Sequence, residues 1–246
     1  MCTTGAKILR PGAEFFLFKN KDLNKPGFDD VVVADAERFG VKGLHIPPKG
    51  REGEEELSGF SIGLNRWGVA ACNTHVKSLA GGANYDLLTE AAVTGTRSAA
   101  EAVEKVVRLA PEGRYNWANI LIADCRGAAV VEVGEDVAVE AERPLVWRAN
   151  RHLLSHRGQP AGESCPRGLR AGAAVDRARG VEDVFALLRS HEGAEDKTEI
   201  CRHAQPRTVY SYVALWRQGA FEFYVLQGLP CQGTYAQIPL RFPLDE

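Results

Sequence analysis

Local patterning along the chain falls into blocks: strands, two helices, strands, two more helices, and a closing pair of strands. That order is the strongest constraint on the fold. Helices gathered in pairs between runs of strands exclude the βαβ alternation of a parallel sheet and predict an α+β protein with antiparallel sheets. Residues 3–9 and 14–19 read as a strand pair hinged at Pro11-Gly12, and 60–64 with 69–72 as a hairpin around Asn65-Arg66-Trp67-Gly68. Short strands follow at 119–124, 128–133, 137–142 and 145–148, and a final hairpin at 208–216 and 221–226 turns at Gln218-Gly219. The helices are predicted over 85–93, 98–109, 166–178 and 181–191; the second opens on Ser98 with Glu101 three residues on, a capping-box pattern. Residues 19–30 and 47–56 read as polar loops. No Gly-Ser or Pro-rich linker divides the 246 residues, so a single domain is expected.

Composition enters mainly through what it excludes. A formal net charge of −2 offers no footprint for a nucleic acid or an anionic membrane. No apolar run is long enough to span a bilayer, and Lys7, Arg10 and Pro11 interrupt any secretory signal, so a cytoplasmic protein is expected. The six cysteines are scattered without a C-x-x-C pair, which favours reduced thiols over a disulfide framework. His152 and His156 are four apart but lack the glutamate of H-E-x-x-H, and Cys201 with His203 lies far from them in sequence. No metal and no cofactor are therefore expected. Residues 59–63 spell G-F-S-I-G, but a nucleophile elbow needs a strand-to-helix turn, and here the chain runs on toward another strand, so Ser61 is read as a chance match.

The residue with the most chemical promise is Cys2, directly after Met1. Removing the methionine would leave a thiol with a pKa of roughly 8.5 beside an α-amine near 8. An N-terminal nucleophile can use its own amine as general base. Taken alone, Cys2 is more simply a small hydrophobe at the start of a strand. The segment Phe18-Lys19-Asn20-Lys21-Asp22 is the strongest local constellation after it, because a hairpin of this length could return it beside Cys2, although by itself it reads more simply as a solvated polar loop. An aspartate there would orient the amine, and a cation would favour the thiolate.

These residues together resemble the N-terminal-nucleophile (Ntn) cysteine amidases, a group that includes choloylglycine hydrolases, acid-ceramidase-like amidases and isopenicillin N acyltransferase. The opening MCTTGAK and the F-K-N-K-D segment carry the likeness first. Gly63-Leu64-Asn65-Arg66-Trp67-Gly68-Val69 is similar to the group's G-x-N-x-x-G-L stretch, with Asn73 shortly after it. Residues 119–124 (NILIAD), Ala149-Asn150-Arg151-His152, Ser164-Cys165-Pro166-Arg167 and Ile200-Cys201-Arg202-His203 resemble later elements in the same order. The likeness spans nearly the whole chain and favours the isopenicillin N acyltransferase-like branch.

The resemblance implies a four-layer αββα Ntn sandwich with two antiparallel sheets, and an amidase or acyltransferase acting on a linear carbon–nitrogen amide through a Cys2 thioester. It implies that Asp22 orients the amine and that Asn73 donates to the oxyanion. Asn150 would complete the polar framework and Arg167 the charge balance, with Arg170 as the competing assignment. Lys19 stands where most relatives carry arginine; it keeps the charge but loses the planar two-pronged donor. Many acyltransferase relatives expose their cysteine by autoproteolysis, whereas here an aminopeptidase would suffice. The implied partner is a small-molecule acyl amide, with homo-oligomerisation left open. Trp67, Trp147, Phe221 and Tyr224 could line its pocket, although aromatics so placed are more often core. Lactam formation by an internal amine, aminoacyl transfer, and a non-catalytic ligand-binding protein of the same fold are the alternatives. Glutamine amidotransferases, which also begin with a processed cysteine, usually open C-G-I or C-R-L, unlike Cys2-Thr3-Thr4.

Overall fold

The computed structural model describes residues 2–25, 29–45, 56–77, 82–155, 165–240 and 242; Met1, His156, Ser164 and most of the expected 47–56 loop lie outside them. The first half runs β1 (Cys2–Arg10), β2 (Glu14–Leu23), β3 (Val32–Ala34), β4 (Arg38–His45), β5 (Glu56–Asn65) and β6 (Ala70–His75). Helices α1 (Asp86–Val93) and α2 (Ala99–Leu109) follow, then β7 (Ala118–Ala123), β8 (Ala128–Val133), β9 (Val137–Arg143) and β10 (Leu145–Arg148). The chain continues through α3 (Pro166–Arg177), α4 (Val181–Leu188), β11 (Arg207–Arg217), β12 (Ala220–Gln227), a short 3-10 turn (Pro230–Gln232) and β13 (Ala236–Ile238). No described helix is long and apolar enough to cross a membrane.

The strands form two antiparallel sheets, one ordered β10-β1-β2-β11-β12-β13 and the other β3-β4-β5-β6-β7-β8-β9. Strand periodicity of two then divides the apolar side chains into layers. Ala6, Ile8, Phe15, Leu17, Tyr212 and Ala214 of the first sheet pack against Ile62, Leu64, Cys72, Leu121 and Val130 of the second. The intervening residues of the first sheet, Phe16, Phe18, Val213 and Leu215, face Ala171 and Val175 of α3 and Val184 and Leu188 of α4. On the far side, Leu88 and Ala92 of α1 and Ala102 and Val106 of α2 cover Phe60, Ile120 and Ile122. The result is four layers, αββα.

Helix α3 sits unusually close to β10 because glycines form its contact. A Cβ on Gly168 would stand 2.7 Å from the Trp147 ring, and one on Gly172 only 2.2 Å from it. Trp147 is thus packing material for α3, and its proximity brings the first turn of that helix, with Arg167, over the start of β1. Phe221 belongs to the core between the sheets and Tyr224 packs beside the α3/α4 core, so neither stands apart as a pocket wall.

Three local expectations change. β2 does not stop at residue 19 but continues to Leu23, because β1 pairs with it as far as Lys21 and β11 as far as Leu23. Strands β3, β4 and β13 were not expected: β3 and β13 are only three residues long, and β4 (RFGVKGLH) dilutes its apolar alternation with glycine and charge. Helix α4 ends at Leu188 instead of 191, where Asn20 Nδ2 donates to the Leu188 carbonyl at 3.1 Å. The α2 cap forms as expected on one side, Ser98 Oγ accepting from Glu101 N at 3.2 Å, while the Glu101 carboxylate accepts from Arg97 N at 2.7 Å.

Candidate active site

The β1–β2 register sets the site. Cys2 pairs with Lys21 and Thr4 with Lys19. Cross-strand partners share a sheet face, so Cys2, Lys19 and Lys21 point into the space between the sheets, while Thr3, Asn20 and Asp22 point toward α3 and α4. Cys2 is 7% exposed. Its thiol bears electrostatically on Cys72, Tyr85 and Tyr212: burial pushes Cys72 up to about 12, with Lys19 opposing and Cys2 adding, and burial likewise raises both tyrosines.

On the helix-facing side, four of the expected residues join in one hydrogen-bonded chain. Cys2 N donates to Asn150 Oδ1 at 3.1 Å. Arg167 Nη2 donates to the same oxygen, and its Nη1 donates to Asp22 Oδ2 at 3.0 Å. The other Asp22 oxygen accepts from Thr208 Oγ1 at 2.8 Å. Asp22 is 1% exposed. Burial raises its pKa, while Arg167, the positive amino terminus and the Thr208 hydrogen bond pull it back. Arg170 bonds Thr198 instead, so the arginine that reaches Asp22 and Asn150 is Arg167. Asn150 Nδ2 donates onward to His75 O at 2.6 Å.

A second buried cluster lies across the sheet gap. The registered β5–β6 ladder ends at Ile62–Cys72, and beyond it polar side chains bridge the two strands. Lys19 Nζ donates to Ser61 O at 3.0 Å and to Asn73 Oδ1 at 2.8 Å. Asn73 Nδ2 in turn lies 3.1 Å from Phe60 O, 2.7 Å from Asp86 Oδ1 and 2.8 Å from Thr89 Oγ1. Both donor hydrogens of Asn73 are therefore directed into the protein, at α1 and β5. Asp86 has its pKa raised by burial and drawn back by Lys19 and Asn73. Beside this cluster, Lys21 Nζ pairs with Asp30 Oδ1 at 2.6 Å, and the Tyr212 hydroxyl bonds the other Asp30 oxygen. Burial lowers the Lys21 pKa and Asp30 counters it.

Several neighbours of the candidate site were not legible in the sequence. Lys21, directly across from Cys2, is a second buried cation, and only Lys19 was expected in that role. Thr208, Asp86 and His75 were also missed. His75 is exposed, yet desolvation of its ring and the positive amino terminus lower its pKa to about 4. Ser61 lies buried within β5, away from any strand–helix turn. His152 is buried, with Nε2 3.1 Å from Ala118 O and its ring stacked on Trp117, as a core histidine would be.

No protein-family model and no curated protein matches the chain. Its shape does match solved structures. Penicillin V acylase from Agrobacterium tumefaciens superposes with a TM-score of 0.51 at 13% identity, over 92% of this chain and 82% of that one. A mutant of conjugated bile acid hydrolase from Clostridium perfringens gives 0.53 at 10% identity, over 100% and 99%. The Caenorhabditis elegans ortholog of N-acylethanolamine-hydrolyzing acid amidase gives 0.54 at 11% identity, over 97% and 100%. What the chain shares with these neighbours is its fold, two antiparallel sheets packed between pairs of helices.

Proposed function

We propose that this chain is a cysteine amidase of the Ntn type, cleaving a linear acyl amide through a thioester at Cys2. The observation that carries the reading is the Cys2 N–Asn150–Arg167–Asp22 chain, which fixes the nitrogen that becomes the α-amine once Met1 is removed. The neighbouring folds, an acylase, a hydrolase and an acid amidase, support it.

In this mechanism the α-amine takes the Cys2 thiol proton, and Sγ attacks the amide carbon. The tetrahedral intermediate collapses as the amine returns its proton to the leaving nitrogen, leaving the acyl group on sulfur. Water, deprotonated by the same amine, then releases the acid. An amine in place of water would give acyl transfer by the same route, the outcome expected of the isopenicillin N acyltransferase-like branch, and an amine on the same acyl group would close a lactam. Lys19 and Lys21 supply the positive potential that favours a thiolate between the sheets. Asp22, through Arg167 and Asn150, holds the amine in place. The substrate on this reading is a small cytoplasmic acyl amide, and the chain's own groups suffice without a cofactor.

The resemblance assigns the oxyanion to Asn73, but its amide would first have to leave Phe60, Asp86 and Thr89. Asn150, whose Nδ2 donates to a backbone carbonyl beside the site, is the donor with less to give up. Amine release from a panel of linear acyl amides tests both points with Met1-free protein. Release is expected, with kcat lowered about 10²–10³-fold in Asn150→Ala, the usual effect of losing one oxyanion donor. Asn73→Ala should act mainly by loosening Lys19, lowering thermal stability more than kcat. No release from any panel member contradicts the amidase reading.

A further inference from the structure

Outside the Cys2 hydrogen-bonded chain, four side chains from three segments converge on one point. His191 lies just beyond α4, Cys201 and His203 on the approach to β11, and Cys231 in the 3-10 turn after β12. One ligand atom from each lies within 4.8 Å of all the others. His203 Nε2 is 3.1 Å from His191 Nε2 and 3.2 Å from Cys231 Sγ. Zinc bonded tetrahedrally at about 2.3 Å to sulfur and 2.0–2.1 Å to nitrogen holds its ligand atoms roughly 3.3–3.8 Å apart. The cluster is already that size for its closest pairs, and the widest needs to close by only about 1 Å.

We infer that His191, Cys201, His203 and Cys231 bind one zinc ion. Two thiolates and two imidazoles are the donor set for a borderline-soft, tetrahedral ion, and with four protein ligands no position remains for substrate, so the site is structural. Binding releases the two thiol protons to solvent and changes no oxidation state. The metal-free expectation rested on the spacing of His152, His156, Cys201 and His203, without His191 or Cys231. Their separations in sequence match no short zinc motif, and only the fold brings them together.

The position gives the ion a consequence. Cys201 N donates to Ser190 O at 3.0 Å, and Arg202 N donates to Thr208 Oγ1 at 2.9 Å. Thr208 Oγ1 is the group that donates to Asp22. Asn20 Nδ2 adds a bond to Ile200 O at 3.1 Å. Zinc would therefore pin the loop between α4 and β11 to the turn after β12, and through Thr208 it would steady the carboxylate of the active-site chain.

Metal analysis of untagged, full-length protein purified without chelator tests this. One zinc per chain is expected, falling below a tenth in Cys231→Ser and in His203→Ala, and unchanged in Cys125→Ser, whose thiol lies elsewhere. Cobalt(II) loaded in place of zinc should show the intense visible bands of a tetrahedral ion together with thiolate-to-cobalt charge transfer. Should either ligand variant fail to fold, the cobalt spectrum of the unsubstituted protein decides alone. Absence of bound zinc together with a weak, octahedral cobalt spectrum overturns the inference, as does a Cys201–Cys231 disulfide in protein isolated under reductant.

Discussion

Cys2→Ala should abolish amide turnover, lowering kcat by about 10⁴-fold or more, as loss of a covalent nucleophile does elsewhere. The thiol is a small part of the packing. Cys2 begins β1 and is buried, but its backbone pairing with Lys21 and its N–H bond to Asn150 do not involve the sulfur. Removing Sγ should therefore cost only about 1 kcal/mol of stability. Near-normal thermal unfolding together with lost activity is the expected pair of results. A non-catalytic ligand-binding protein would instead keep its biological activity with alanine at this position. Cys2→Ser should recover little, because a hydroxyl beside the same amine and the same lysines is a far weaker nucleophile at neutral pH.

Arg167→Leu should produce the largest change in stability, about 3–5 kcal/mol, because it removes the cation from a carboxylate with no access to water. Asp22 keeps Thr208 but loses the partner that most opposes its desolvation. Its pKa, already raised by burial, then rises further. A carboxyl whose folded pKa exceeds its unfolded value binds more protons in the folded state, so stability falls as pH climbs from the unfolded value near 4 through the folded one. The deficit relative to the unsubstituted protein should accordingly be small near pH 4 and grow toward neutrality in thermal unfolding. Pairing it with Asp22→Leu removes the uncompensated charge and should restore part of the stability. Activity should not return, because Asn150 and the Cys2 nitrogen remain without the residues that orient them.

The hairpin of β1 and β2 was legible because Pro11-Gly12 interrupts two clear strands and their lengths return Asp22 to the level of Cys2. The burial of its far end was not. Lys19, Asn20, Lys21 and Asp22 look like a solvated turn, since the local sequence offers their charges little beyond Asp30, which pairs with Lys21. Their partners come from across the fold: Asn73 for Lys19, Leu188 and Ile200 for Asn20, Arg167 and Thr208 for Asp22. The choice between Arg167 and Arg170 was open for a related reason. One helical turn separates them, and which one faces Asp22 is decided by Gly168 and Gly172 seating α3 against Trp147. The resemblance implied an oxyanion role for Asn73 from its place after the glycine-rich stretch, but where its amide points depends on Asp86 and Thr89 of α1. The order of helices and strands, which depends on local periodicity, was read apart from β3, β4 and β13, whereas the four-layer arrangement came from the resemblance.

Intact mass spectrometry of the protein during turnover of an acyl amide tests the central claim most directly. The account predicts a chain lacking Met1, heavier by one acyl group on Cys2, with no such species in Cys2→Ala. Active protein that retains Met1, or an acyl group carried by another cysteine, would contradict it.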